Sequence, residues 1–305
     1  MTPERGGAAE EAYRALRQAG IEKMRRGEHE SALEEFEKAS AVAVRMKNLR
    51  LQHEARANLS MIYLQLGDHR RAEDGLREIL LGTRDPRTRF GAAYNLAISL
   101  RKQGRYGRAR FYARHAMQSA VRFRDASARA GCHNLLGNIL MNQSCLREAL
   151  VEYRKALSIR RRQKEDVRFS IAILLENIGY TYILQKRLRR GAALIARALR
   201  LGEEIGARRC IAESRQDLCF AEMLMGHYDD AVIHGEQALE LARDGGYRDI
   251  ERNCYYLLGE TAHLAGRPDD RDRHFERLQT FYPDLPFLRD FLCTFDLSGI
   301  LTFKG

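Results

Sequence analysis

The chain contains no tryptophan, only 5 prolines among its 305 residues, and no run of about 18 apolar residues that could cross a membrane. The lack of tryptophan removes one common stacking platform for nucleic-acid bases. The N-terminal residues include charged side chains such as Glu4, Arg5 and Glu10, and they lack the apolar core of a signal peptide. The sequence therefore does not indicate export. We therefore expect a soluble, cytoplasmic protein.

Motifs for metal, cofactor or catalytic chemistry are also missing. The six cysteines form neither a CxxC pair nor a short Cys/His cluster, and no HExxH, GxSxG, GxxxxGK[ST] or GxGxxG string occurs. The cysteines are typical of reduced core residues. We predict no metal site, no cofactor, no catalytic residue and no enzymatic activity. The alternative is an enzyme whose carboxylates, such as Glu176, Glu213 and Asp217, assemble across distant parts of the chain.

A period of about 40 residues runs along the whole sequence instead. Seven turn positions recur at intervals of 37 to 42 residues, and they are Gly27, Gly67, Gly104, Ser144, Lys186, Gly226 and Gly266. Five residues after the turn, six of the seven units have a small side chain: Ala32, Ala72, Ala109, Ala149, Gly191 and Ala231. The seventh unit has Arg271 there. Such a period predicts a solenoid of stacked helical hairpins, because each unit must bury its apolar face against a neighbour.

The pattern inside each unit resembles the tetratricopeptide repeat. In the fourth unit, Leu136, Gly137 and Leu140 share one helical face before the turn, and Ala149 and Tyr153 follow it. The resemblance implies a right-handed α-solenoid of about seven helix-turn-helix repeats with a C-terminal capping helix. The 40-residue unit exceeds the usual 34. This long form is similar to kinesin light chain, Leu-Gly-Asn-repeat adaptors and bacterial peptide-sensing receptors.

The end of the chain departs from the period. We predict a repeat array over residues 1–283, and a capping helix with a tail over residues 284–305. Asp284 and Pro286 signal the start of that helix, and Phe287 to Phe295 have helical apolar spacing. The tail contains Ile300, Leu301 and Phe303. One interpretation is that the tail packs against the seventh unit. The alternative is that it occupies the groove of the array or docks on a partner.

Asparagines recur inside the first helix of several units, although asparagine is unfavourable within helices. The resemblance implies that these first helices line a concave groove. A side-chain amide has donors and an acceptor, so a series of amides could hold the main chain of a peptide. The alternative is that they bond to neighbouring helices and fix the stacking. The predicted groove residues are Asn58, Asn95, Asn134, Asn138, Asn177, Tyr94 and Tyr180.

Positive charge is concentrated in the middle of the chain. The net charge is +11 overall, with 28 basic and 9 acidic side chains in residues 84–210. Much of it lies at the hairpin turns, and the predicted basic edge comprises Arg101, Lys102, Arg105, Arg108, Arg147, Lys186, Arg187, Arg189 and Arg190. Such an edge would attract an acidic segment. Alternatively these are solvated helix ends, which describes the run from Arg160 to Lys164 best.

The sequence favours a protein–protein interaction scaffold or adaptor that binds a peptide of a partner, an acidic one at the basic repeats. Two alternatives remain open at this point. One is a nucleic-acid-associated protein that uses the basic field, although the aromatic interleaving that single strands need is missing. The other is a peptide-sensing regulatory receptor. The sequence does not determine the partner or the oligomeric state.

Overall fold

The computed structural model describes residues 3–26 and 28–294, and this part of the chain contains fifteen α-helices and no strand. The molecule divides into two compact units, residues 1–139 and 140–305, and the division falls inside the seventh helix. The boundary expected between residues 283 and 284 stays a prediction.

The helices follow one another as antiparallel pairs. In the first unit they are α1 (Pro3–Arg25), α2 (His29–Arg45), α3 (Leu49–Gln65), α4 (His69–Gly82), α5 (Pro86–Lys102), α6 (Tyr106–Arg122) and most of α7 (Ala126–Asn142). In the second unit they are α8 (Leu146–Arg161), α9 (Arg168–Leu184), α10 (Leu188–Glu204), α11 (Arg208–Met225), α12 (Tyr228–Gly245), α13 (Arg248–Leu264), α14 (Pro268–Gln279) and α15 (Leu288–Thr294).

The turns within the pairs lie where the sequence period predicts them. Six of the seven turn residues adopt the left-handed conformation, and they are Gly67, Gly104, Ser144, Lys186, Gly226 and Gly266. Gly27 lies outside the described residues. A left-handed residue just after a helix ends the hydrogen-bond ladder and lets the chain reverse. Four of the six are glycine, which has no Cβ to strain there, whereas Ser144 and Lys186 carry side chains.

Replacing Lys186 by glycine should stabilise the second unit. Lys186 has φ 61°, a conformation that costs a residue with a Cβ roughly 1–2 kcal/mol. Glycine removes that strain, but its greater freedom in the unfolded chain offsets part of the gain. We expect Lys186→Gly to raise the free energy of unfolding in urea by up to about 1 kcal/mol. Gly226→Ala, at φ 79°, is the opposite control and should lower it by about as much. A change of the same sign in both variants would contradict this account.

The small residue after each turn lets the two helices of a pair approach closely. Ala32, Ala72, Ala109, Ala149 and Ala231 are all fully buried, which confirms their predicted place in the packing. The pair α9 and α10 meets at two glycines. A Cβ on Gly179 would lie 2.8 Å from the carbonyl oxygen of Gly191, and a Cβ on Gly191 would lie 2.7 Å from that of Gly179.

The two units bury their apolar residues differently. The second unit has one continuous core that runs from Met141 to Leu292, whereas the first unit has several smaller clusters. Cys132, Cys210, Cys219 and Cys254 are buried free thiols, as predicted. Burial raises the pKa of the Cys132 and Cys219 thiols to about 12, so both stay protonated and act as small apolar groups.

The short last helix packs against α14. Leu292 is 4% exposed within the core of the second unit, and an Arg289 guanidinium nitrogen lies 2.8 Å from an Asp272 carboxylate oxygen. Phe287 precedes the helix and is 74% exposed. Residues 295–305, with Ile300, Leu301 and Phe303, lie outside the described residues. The predicted position of the tail concerns these residues and stays a prediction. In the part described, no helix has the length and apolar character needed to cross a membrane.

Candidate binding surfaces

Two of the predicted groove asparagines, Asn58 and Asn95, occupy corresponding positions on α3 and α5, which pack against each other in the first unit. Both side chains are half-buried. Neither amide has a hydrogen-bond partner among the residues that the structure describes, so their donors and acceptors are available to a ligand. The interpretation that they only fix the stacking of neighbouring helices receives no support from these two residues.

The other predicted groove residues are more deeply engaged. Asn134 and Asn138 are half-buried on α7, and both already have interaction partners. In the second unit Asn177 is 7% exposed and Tyr180 is fully buried, with the ring centroid of Tyr180 6.1 Å from that of Phe220.

Tyr94 of the first unit is half-buried, and its ring centroid lies 5.4 Å from that of Phe90. Tyr94 therefore packs against Phe90 on the same helix rather than projecting fully into solvent. The asparagine hypothesis consequently rests most firmly on Asn58 and Asn95.

The basic residues of the first unit lie around the turn between α5 and α6, where Arg101, Lys102 and Arg108 are partly or fully exposed. Arg105 differs from them because a buried carboxylate already binds it. Arg105 Nη1 donates to Glu73 Oε1 at 3.0 Å, and Gln103 Nε2 donates to the same oxygen at 2.8 Å. The Arg105 charge therefore ties α4 to the next hairpin and is largely neutralised within the protein.

The five residues of the predicted basic edge that belong to the second unit, in contrast, are all exposed and line two open clefts. The larger cleft, of about 760 Å³, includes Arg147 and Arg187, and the smaller, of about 510 Å³, includes Lys186, Arg187, Arg189 and Arg190. None of these five side chains forms an ion pair with a residue of the described chain. Their role as a partner-binding edge stays a prediction.

A further groove adjoins these clefts and was not predicted. Helices α8 and α10 both pack on α9, and the channel that they leave over α9 has a volume of about 350 Å³. Its rims carry two arginines from each helix, and its floor is formed by apolar residues and a tyrosine. We call this channel the arginine groove, and its residues are Arg154, Leu157, Arg161, Leu175, Ile178, Tyr182, Arg190, Ala193, Leu194 and Arg197.

Comparison with known proteins identifies the repeat. A family model described as tetratricopeptide repeat matches residues 53–80, which span most of α3 and α4 and include Asn58. The apo form of RapI has the same fold, with a TM-score of 0.70 and 13% identity, over 90% of this chain and 98% of that one. Residues 53–80 therefore match the tetratricopeptide repeat, and RapI shares the fold of the chain.

Two other solved structures share the repeat fold. A tetratricopeptide repeat protein from Parabacteroides merdae has a TM-score of 0.60 and 16% identity, over 93% of this chain and 98% of that one. A Rap protein complexed with competence and sporulation factor has a TM-score of 0.61 and 14% identity, over 92% and 99%. No curated protein matches the sequence. These likenesses confirm the prediction of an all-α helical repeat solenoid.

Sequence reasoning missed Arg154, Arg197 and Tyr182, and it assigned Arg161 to a solvated helix end. These arginines lie away from the turns of the helical hairpins, so a search for charge at the turns passes over them. A signal was nevertheless present, because Arg154 and Arg161, like Arg190 and Arg197, are two helical turns apart. Recognising the groove also required knowing that α8 and α10 flank the same helix.

The three carboxylates that the sequence offers for an enzyme are buried or half-buried, and each contacts another side chain. Glu176 is 2% exposed and accepts from Ser214 Oγ at 3.5 Å, and Asp217 is fully buried and accepts from Gln216 Nε2 at 3.4 Å. Glu213 is half-buried, and its carboxylate oxygen lies 2.9 Å from the Arg209 Nε. The Glu176 contact joins α11 to α9, the other two contacts lie within α11, and none of them supplies a reason to assign a reaction.

One cluster of potential metal ligands occurs in the described part of the array. Ligand atoms of Glu222, His227 and Asp230 all lie within 4.8 Å of one another at the turn between α11 and α12. His227 Nδ1 is 2.8 Å from Glu222 Oε2, and His227 and Asp230 are exposed. This arrangement is accounted for by a local contact between α11 and the turn, so we assign no metal to it.

Proposed function

We propose that this chain is a protein interaction scaffold whose first unit binds the main chain of a peptide segment of a partner protein. The observation that carries the proposal is the pair of unpartnered amides on Asn58 and Asn95. They repeat at the same place in consecutive tetratricopeptide units, and each offers two donors and an acceptor. An extended peptide presents its N–H and C=O groups at regular intervals, so equivalent amides on adjacent helices suit it whatever its sequence.

Two further observations support the proposal. One fold neighbour is a Rap protein complexed with competence and sporulation factor, so a chain of this fold can hold another molecule. Also, asparagine in a helix interior is less favourable than alanine by up to about 0.7 kcal/mol, and here no internal hydrogen bond offsets that loss. A ligand that satisfies the amides gives these residues a role. The charge of the middle repeats favours an acidic segment as partner.

The proposal is tested by panning a displayed random peptide library against the whole chain and measuring the affinity of the selected peptides by fluorescence anisotropy. Changing both Asn58 and Asn95 to alanine should weaken binding about tenfold or more, because two or more hydrogen bonds to the peptide are lost. N-methylation of the peptide backbone should have a similar effect, since it removes the donors that the amides recognise.

Gln118→Ala is the matched control, because Gln118 is an exposed side-chain amide on α6 and has no hydrogen-bond partner in the described part of the chain. It should leave the affinity unchanged. Equal affinities of the asparagine variant and the original protein for every selected peptide would exclude the proposed site. Loss of affinity in the Gln118 variant as well would indicate a general effect instead of recognition by the two asparagines.

A further inference from the structure

The arginine groove has a fixed arrangement of charge around one tyrosine. Arg154 Nη2, from α8, donates a hydrogen bond to the Tyr182 hydroxyl at 2.6 Å. The Arg190 guanidinium carbon, from α10, lies 4.5 Å from the centroid of the same ring. Tyr182 is only 2% exposed, so its ring is held by the packing of α9. The tyrosine therefore positions two guanidinium groups from opposite rims before any ligand arrives.

These guanidinium groups are not neutralised within the described chain. Arg154, Arg161, Arg190 and Arg197 are all exposed, and none forms an ion pair there. Glu148, which lines the adjoining 760 Å³ cleft, is not within ion-pair distance of any of them. Four like charges around one channel repel each other, and an anionic ligand would remove that repulsion. The electrostatics of the groove thus favour a ligand with several negative charges.

The floor of the groove restricts that ligand further. Ala193 is exposed and Leu194 is half-buried between the arginine rims, whereas Leu157, Leu175 and Ile178 are only 8%, 2% and 5% exposed. Ala193 and Leu194 would stay against water under a phosphate or a nucleic-acid backbone. A ligand that covers them must carry apolar groups as well as acidic ones. On each rim the arginines are seven residues apart, which is about 10.5 Å along a helix. An amphipathic helix presents apolar residues on one face, and the charges that flank this face can recur every seven residues.

We infer that the arginine groove is a docking site for an acidic amphipathic helix of another protein, with its apolar face on the floor and its carboxylates between the rims. This inference rests on the proposed function in that the ligand is a segment of a partner protein. The site itself is separate, because Asn177 and Tyr180 face away from Leu175, Ile178 and Tyr182 at about 100° per helical residue. The groove also lies wholly in the second unit, whereas Asn58 and Asn95 belong to the first.

The test uses a fluorescein-labelled peptide of about 20 residues, long enough to form helix, with leucine on one face and glutamate on both flanks. We expect saturable binding that weakens about tenfold or more when Arg154 and Arg190 are both changed to alanine, because charge-assisted hydrogen bonds are lost. Arg161→Ala with Arg197→Ala is a second variant that keeps the Tyr182 contacts, and it should weaken binding in the same direction.

Arg114→Ala with Arg122→Ala is the matched control. Both arginines are exposed on α6 and have no ion pair in the described chain, so the control removes the same charge outside the groove and should leave the affinity within about twofold. A peptide with lysine in place of glutamate should not bind, and one with serine in place of leucine should bind weakly. Unfolding in urea should show that all three double variants are folded.

Several results would overturn the inference. They are equal loss of affinity in the α6 control, equally strong binding of the serine peptide, and arginine-dependent binding of single-stranded DNA that exceeds peptide binding. Arginine-dependent self-association in sedimentation would identify a second copy as the ligand instead. If the groove variants leave the acidic peptide unaffected while the Asn58 and Asn95 variant still loses its selected peptides, this inference fails and the proposed function stands.

Discussion

Gly179→Ala should lower the free energy of unfolding by about 3 kcal/mol, at the upper end of the range for overpacked cores. The added Cβ would lie 2.8 Å from the carbonyl oxygen of Gly191 and 2.7 Å from Ile195 Cγ1. A side chain could rotate away, but the Gly191 oxygen belongs to the backbone of α10. Relief therefore requires α9 and α10 to separate, which loosens the packing around the buried residues on both helices.

Gly91→Ala on α5 is the matched control for this prediction. No atom lies within 4 Å of the Cβ position at Gly91, and its φ is not positive, so the substitution meets no steric obstacle. Because alanine is the better helix former, we expect Gly91→Ala to stabilise the protein by about 0.5–1 kcal/mol. Urea unfolding followed by circular dichroism measures both. Similar stabilities of the two variants would show that α9 and α10 do not depend on their glycine contact.

Glu73→Ala should destabilise the first unit by about 2–3 kcal/mol, because it removes the acceptor of several buried or half-buried donors. Glu73 is 4% exposed on α4, and its carboxylate bonds to Arg77 and lies 3.0 Å from Arg105 Nη1. It also accepts from Gln103 Nε2 at 2.8 Å. Without it, the link from α4 to the turn between α5 and α6 is lost, and Arg105 loses its counter-charge, whereas Arg77 keeps Asp74.

Asp74→Ala provides the control, since Asp74 is the next residue and also pairs with Arg77, at 3.1 Å. Its side chain is 58% exposed, and such surface pairs contribute about 0–1 kcal/mol. A double-mutant cycle between Glu73→Ala and Arg105→Ala should give a coupling energy above about 0.5 kcal/mol. Additive effects of the two changes in urea unfolding would mean that the observed bond adds nothing to the stability of the first unit.

The repeat architecture could be predicted from the amino-acid sequence. A turn residue every 37 to 42 positions and a small residue five places later are local requirements, because they describe one hairpin at a time. The structure confirms the left-handed turns from Gly67 to Gly266 and the burial of the alanines that follow. The core role of the cysteines was also predictable, since no ligand spacing competed with it.

Which side chains are available to a partner could not be predicted without the packing of the helices. Asn58, Asn95 and Asn177 look equivalent in sequence, yet Asn177 is buried while the other two have unpartnered amides. Arg105 and Arg190 both lie near hairpin turns, yet one is bound by the buried Glu73 and the other stacks on Tyr182. Hairpin geometry follows from short-range periodicity. The accessibility and pairing of a side chain depend instead on residues in neighbouring repeats. The arginine groove is formed by three helices, α8, α9 and α10, so the periodicity of the sequence does not predict it.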